Sequence, residues 1–192
     1  GLSPENIQTT SQRFDAALTK GDVTAIEQRL PLAYARMKDV ELEVPFATLF
    51  ADRLSKLPLT GDAARIAYDM GLLSPDYARL YNSLLQGDDV RSRFLAGLAV
   101  GSVKGLTPAD SIGRAIAPAF DGSEVALSDD AKLLLGQNRI GEAILLAMQR
   151  IEAGLHGEMG KLAEGLALLQ QLNLSDTARR VAIELILLER RG

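Results

Sequence analysis

Five times along the chain a serine or threonine stands just ahead of a proline or an acidic residue at the edge of an apolar run. These are "SPEN" at Ser3, "SPDYAR" at Ser74, "TPADS" at Thr107, "LSDDAK" at Ser128 and "LSDTARR" at Ser175. A hydroxyl in this place accepts from the free amides of a first helical turn. Proline tolerates the first helical position, and carboxylates are favoured at the positive end of the helix dipole. The punctuation predicts an all-α chain. Between the caps, apolar residues recur at helical spacing: Ala63, Ile66, Ala67 and Met70; Tyr77, Leu80, Tyr81, Leu84 and Leu85; Leu162, Leu166 and Leu169.

The pattern predicts helices over 4–19, 22–37, 44–56, 61–71, 75–86, 88–104, 108–117, 129–136, 139–153, 157–171 and 176–190. The single strand-like piece is "DVELEV" at 39–44, which alternates but is short and isolated. Short helices with short connections predict an array of antiparallel helical hairpins, either a right-handed solenoid or an irregular bundle, of about 10–11 helices. A chain of 192 residues is ample for one domain with a hydrophobic core, here with sub-units expected at 1–57, 58–120 and 121–192.

The net charge is −4, and 21 basic residues are scattered among 25 acidic ones. Nucleic acid and anionic membrane surfaces call for clustered Lys and Arg, so neither is an expected partner. Without cysteine there is no disulfide framework, thiolate metal site or cysteine nucleophile. The uncharged stretch "FLAGLAVGSV" between Arg93 and Lys104 is about half the length of a bilayer span, so no membrane span is expected. Gly1-Leu2 runs directly into "SPEN", which reads as a helix start and suggests a processed form or a segment of a longer protein. Many Ala and Arg with few Lys suggest a GC-rich bacterial source, and a cysteine-free chain is compatible with the periplasm as well as the cytoplasm.

"MGLLSPDYARLYNSLL" (70–85) and "QLNLSDTARRVAIELILL" (171–188) both pass from a helix end through Leu, a Ser cap, an Asp and an Ala-Arg pair into a new helix. They are one type of turn used twice, or two amphipathic helix starts alike by chance. In "LLLGQNRIGEAILLAMQRIEAG" the order is helix end, Gly, polar pair, small-residue turn, "EA" and apolar helix; "FDAALTKGDVTAIEQRL" at 14–30 is similar, with Gly21-Asp22 at the turn. These segments resemble the hairpins of tetratricopeptide and related helical repeats, although no repeat period of about 34 residues is sustained. The resemblance implies a divergent solenoid-like array that binds a protein or peptide.

Two helices are apolar around more of their circumference than one neighbour covers. In 133–155, Ile140, Ile144, Ala147, Met148 and Ile151 share a face while Leu145 and Leu146 lie off it, so cover is expected on more than one side. In the last helix, Val181, Ile183, Leu185, Ile186, Leu187 and Leu188 span most of the circumference. Either the preceding helices enclose it, or its outer side docks another subunit. Gly97, Gly101 and Gly105 predict a tight helix crossing with Gly105 as the C-cap, and Gly154, Gly157, Gly160 and Gly165 predict a hinge or close-contact site.

Catalytic patterns are sparse. His156 lies near Glu152 and Glu158, but its glycine-flanked turn favours a surface or capping role over metal or proton chemistry, and no G-x-S-x-G elbow exists. "GQNRIGE" lacks the lysine of a phosphate cradle. Asp121, Glu124, Asp129 and Asp130 lack calcium-loop spacing and read as a solvated loop with a helix cap. No cofactor or metal is expected. Tyr and Arg bury large areas and still hydrogen-bond, so Tyr77, Tyr81, Arg79 and Arg91 are candidate partner-binding residues, although at helical spacing the two tyrosines are more often core and at most one of Arg91 and Arg93 faces a groove. Leu185 and Leu188 join them as a surface for a partner or for self-association.

The expected function is a non-catalytic helical scaffold or adaptor binding a protein or peptide, of a kind that would suit an accessory module of a bacterial envelope or motility assembly. The alternatives are a small-ligand or lipid carrier with a cavity lined by Leu, Ile and Met, and a helical enzyme or regulatory domain using a carboxylate such as Glu142 or Glu158.

Overall fold

Eleven α-helices and one short 3-10 turn account for the regular structure of the described residues, and none of these residues forms a strand. The computed structural model of the protein describes residues 4–84 and 89–188. Ser3 and Leu85, expected as a cap and a core position, lie outside them, as do the expected helix ends at 86, 88 and 190. The protein is all-α, as its cap chemistry predicts. "DVELEV" forms no strand: Asp39 to Leu42 make the turn after one helix and Glu43 opens the next. The chain divides into two compact units, 1–87 and 88–192.

The first unit holds α1 (Pro4–Lys20), α2 (Val23–Lys38), α3 (Glu43–Leu54), α4 (Gly61–Leu73) and α5 (Tyr77–Ser83). Its central helix is α4, which packs on α2, α3 and α5. Ten of its thirteen residues are buried, so it meets neighbours on all sides. Gly71 permits the approach of α5, because a Cβ there would lie 2.5 Å from Leu84 Cδ1. Beside this core, Phe14 of α1 meets Phe46 and Phe50 of α3 with ring centroids 5.4 and 5.2 Å away.

The second unit holds α6 (Val90–Val100), α7 (Ser111–Ile116), the 3-10 turn Ala117–Ala119, α8 (Asp129–Gly136), α9 (Ile140–Leu155), α10 (Gly160–Gln171) and α11 (Ser175–Leu188). Here α10 is the central helix. It packs on α9, α11, α7 and the 3-10 turn, and Leu162, Leu166 and Leu168 are fully buried. The division falls after 87 instead of at 57 and 120, because α4 and α5 pack on the helices before them while α7 packs on α10 and α11.

The caps differ in detail from the sequence pattern. Ser74 ends α4, its hydroxyl donating to the Gly71 carbonyl (2.8 Å), and Asp76 precedes α5. Ser175 is the first residue of α11, so the two look-alike segments use their serines differently. The cap of α7 is Asp110, which accepts from the Gly113 amide (2.7 Å), and not Thr107. Gly101, with φ +90°, ends α6, so the helix stops short of Gly105. Gly97 therefore makes room for the returning loop, a Cβ there falling 2.7 Å from the Ser102 carbonyl, and not for a second helix.

Ser128 precedes α8, and its amide donates to the Glu164 carboxylate of α10 (2.9 Å). Burial pushes the Glu164 pKa up, but the Ser128 hydrogen bonds and the charges of Arg150 and Lys161 outweigh it and leave the carboxyl below its ordinary range. A depressed folded-state pKa stabilises the fold above the unfolded value, and that stabilisation is lost as pH falls through the folded one. Urea unfolding at a series of pH values is expected to show the wild-type midpoint dropping below about pH 4.5, with a shallower drop in Glu164→Gln.

Candidate functional site

The helix carrying the most apolar run, α9, faces its neighbour with its smallest residues. Ala143 and Ala147 are fully buried, and Gly154 is buried on the same side. Across from them Gly165 of α10 sits so close that a Cβ would lie 2.7 Å from the Ala147 carbonyl oxygen and 2.7 Å from Ile151 Cγ1. A Cβ on Gly154 would lie 2.5 Å from Leu162 Cγ. Gly154 and Gly165 thus form a close-contact seam, one of the two roles expected of these glycines, whereas Gly157 and Gly160 have open space around them.

Several of the large side chains of α9 consequently point elsewhere. Leu145 follows Ala143 by two residues, about 200° around the helix, and is 59% exposed; Met148 is 58% exposed. Ile140 is 49% exposed at the start of the helix. Both α10 and α8 pack on α9, so it has cover on more than one side as expected, but that cover leaves Leu145 and Met148 outward.

The preceding helix adds to this surface. Asn138, at φ +55°, makes the tight turn between α8 and α9, and the Arg139 amide donates to the Leu134 carbonyl (2.9 Å). The turn lays α8 beside α9, and Leu133 is 55% exposed there. Leu133 and Leu134 of α8 with Leu145 and Leu146 of α9 line a groove of about 420 Å³. Its polar edge carries Asp130, Arg139, Glu142 and Gln149. Arg139 pairs with Glu142, raising its own pKa and holding the carboxyl below its usual range, whereas Asp130 has no ion-pair partner among the described residues.

Compared with known family models, curated proteins and solved structures, the chain matches none.

Of the residues singled out from the sequence, Tyr77, Arg79 and Tyr81 lie on α5 of the first unit, and Arg91, Leu185 and Leu188 on α6 and α11 of the second. Tyr77 is 2% exposed and belongs to the core of the first unit, so its ring presents no surface. Tyr81, on the same helix, is partly exposed. Arg79 donates to Asp52 of α3 (2.8 Å) and to Asp76 (2.9 Å), which raises its pKa, so its charge is used to tie α5 to α3. On the other side of that pair, hydrogen bonds from Lys56 and Arg79 hold the Asp52 carboxyl below its ordinary range. Arg91 and Arg93 lie in the first turn of α6, Arg91 partly exposed and Arg93 exposed. On α11, Ala178, Ala182 and Ile183 are buried while Leu185 and Leu188 are partly covered, so the helix is neither enclosed nor fully open.

His156 ends α9, its ring Nδ1 donating to the Glu152 carbonyl (2.9 Å). Glu158 pairs with Lys161. In the acidic loop, hydrogen bonds from the Ser123 hydroxyl and from its amide (2.8 Å) hold the Asp121 carboxyl below its ordinary range. Among the described residues no three His, Asp or Glu side chains are grouped as a metal ion would require.

Sequence reasoning missed Leu133, Leu145 and Met148 as the outward surface. The signal was present in the alternation of small and large residues along α9, since Ala143, Ala147 and Gly154 fall on one stripe. Total apolar width concealed it.

Proposed function

We propose that the chain is a non-catalytic helical adaptor that seats an amphipathic helix of a protein partner against α8 and α9. The observation that carries this is the outward set Leu133, Leu145 and Met148, each more than half exposed, on helices whose inward contact uses small residues. Exposed apolar surface of this kind marks interaction sites, and a groove between two helices accepts a third through anchors at helical spacing. The uncompensated Asp130 at the edge favours a partner helix with Lys or Arg beside its apolar stripe. The tetratricopeptide-like order of residues in this hairpin is consistent with such use.

Two observations favour this reading over its rivals. Glu142, named as a candidate acid or base, is exposed and held ionised by Arg139, and a carboxyl with a depressed pKa is a poor proton donor near neutrality. A carrier needs an apolar cavity, but a cleft of about 620 Å³ in the second unit is lined by Ser123, Glu124, Lys132, Gln170 and Gln171 among small apolar residues. No described helix is long and apolar enough to cross a membrane.

The test is selection of peptides of about 16 residues, roughly the length of α9, from a random library on the wild-type chain. Counter-selection uses Leu145→Glu with Met148→Glu. Both positions are solvent-facing, so circular dichroism is expected to show an unchanged fold. Enriched sequences are expected to carry apolar residues at i, i+3 or i+4 and i+7 with flanking Lys or Arg, and to bind the double variant at least about tenfold more weakly. Peptides without that spacing, or equal binding to both proteins, would sink the proposal. So would sedimentation showing that the face closes on a second copy.

A further inference from the structure

We infer that the groove between α1 and α2 in the first unit binds a carboxylate-rich segment of a protein partner. Three arginines border this groove of about 260 Å³: Arg13 on α1, and Arg29 and Arg36 on α2. Its floor includes Phe14 and Ala33, buried to 1% and 3% exposure, and Leu32 stands on its rim, 68% exposed. The inference is independent of the α8–α9 surface, which belongs to the other unit.

The arrangement differs from how the unit treats its other arginines. Arg53 pairs with Asp15, Arg65 with Asp62 and Asp69, and Arg79 with Asp52 and Asp76. Among the described residues Arg13, Arg29 and Arg36 have no carboxylate partner. Two of them are nonetheless held in place. Arg36 Nη1 donates to Thr10 Oγ1 (2.7 Å), which itself donates to the Asn6 carbonyl (2.7 Å), and Arg29 Nη1 donates to the Arg13 carbonyl (3.3 Å). Neutral acceptors fix the direction of a guanidinium without cancelling its charge, and each retains N–H donors for a ligand.

Nearby carboxylates are turned away from the groove. Asp15 of α1 faces Arg53, and Glu27 of α2 accepts from the Thr60 amide (2.7 Å) and hydroxyl (2.8 Å). In a chain of net charge −4, this is a local concentration of positive charge left for an outside anion.

Spacing and polarity select the anion. Arg29 and Arg36 are seven residues apart on α2, about 10 Å along its axis, with Leu32 between them. One phosphate group cannot bridge that distance, but carboxylates seven residues apart on a helix can, with an apolar residue between them meeting Leu32. Arginine forks suit carboxylates geometrically, and the exposed leucine adds apolar area that an inorganic anion cannot use.

The test is fluorescence anisotropy with a labelled helical peptide carrying Glu at i and i+7 and Leu at i+4, beside a control with Gln for each Glu. Expected are binding to the Glu peptide that weakens as NaCl rises from about 50 to about 500 mM, and little binding of the control. Arg29→Gln and Arg13→Gln are each expected to weaken binding about tenfold. Arg29→Lys, which keeps the charge, is expected to retain part of it. Circular dichroism checks each fold, and Leu145→Glu in the other unit is expected to leave this binding unchanged. Equal binding of the two peptides, insensitivity to both arginine substitutions, or displacement by inorganic tripolyphosphate at concentrations below those of the peptide would overturn the inference; the last would identify a phosphate site.

Discussion

Phe14→Ala is expected to cost about 3–5 kcal/mol of stability, read as a lower urea midpoint by far-ultraviolet circular dichroism. Phe14 is 1% exposed and is the only ring α1 contributes to the trio with Phe46 and Phe50, whose own centroids are 4.9 Å apart. Edge and tilted contacts at these distances add to the burial of each ring. Truncation removes the wedge between α1 and α3 and leaves a cavity that two rings fixed on one helix cannot fill. Leu32→Ala, at a position 68% exposed in the same unit, serves as the control and is expected to change stability by less than about 0.5 kcal/mol. A loss below about 1 kcal/mol for Phe14→Ala would mean that the trio is not the seam holding α1.

Gly165→Ala is the second large effect, expected to destabilise by about 2–4 kcal/mol. Alanine raises helix propensity by about 1 kcal/mol over glycine, so propensity alone predicts the opposite sign. Sterics decide otherwise, because the added Cβ would lie 2.7 Å from the Ala147 carbonyl oxygen and 3.1 Å from the Ile151 amide nitrogen. Those are backbone atoms of α9 and cannot rotate aside, so the two helices must separate. Gly141→Ala gives the contrast. It lies within α9 with nothing within 4 Å of the new Cβ, and is expected to be neutral or stabilising by up to about 1 kcal/mol. Equal effects at the two glycines would refute the seam.

Much of this fold was legible from local chemistry. Helical spacing located all eleven helices, and the stripe Ala63, Ile66, Ala67 and Met70 is buried throughout. The caps were less legible, because Asp110 and not Thr107 accepts from the first turn of α7, and Asp22 and Asp89, which the Ser and Thr pattern did not single out, do the same for α2 and α6. A serine beside Pro or Asp can close one helix as readily as open the next, and Ser74 does the former. Which helix is enclosed could not be read from apolar content at all. The enclosed helix α4 and the open helix α9 each hold three Ala and two Gly, and α9, with more large apolar residues, turns Ile140, Leu145 and Met148 outward, because its closest approach to α10 runs through Ala147, Gly154 and Gly165.

The arginine groove was illegible for a related reason. Arg13, Arg29 and Arg36 are separated in sequence and look like part of a scattered charge distribution; only the antiparallel pairing of α1 and α2 gathers them. Arg79 looked like a recognition residue because sequence gives no sign that Asp52, 27 positions away, lies opposite it.

The α9–α10 seam also separates two kinds of mutational freedom. Ala147, Gly154 and Gly165 fix how the two helices lie together, and they contribute nothing to the outer surface. Leu133, Leu145 and Met148 form that surface and are dispensable to the seam. The outer residues of this hairpin can therefore be rewritten, by drift or by design, into a different recognition surface on an unchanged backbone.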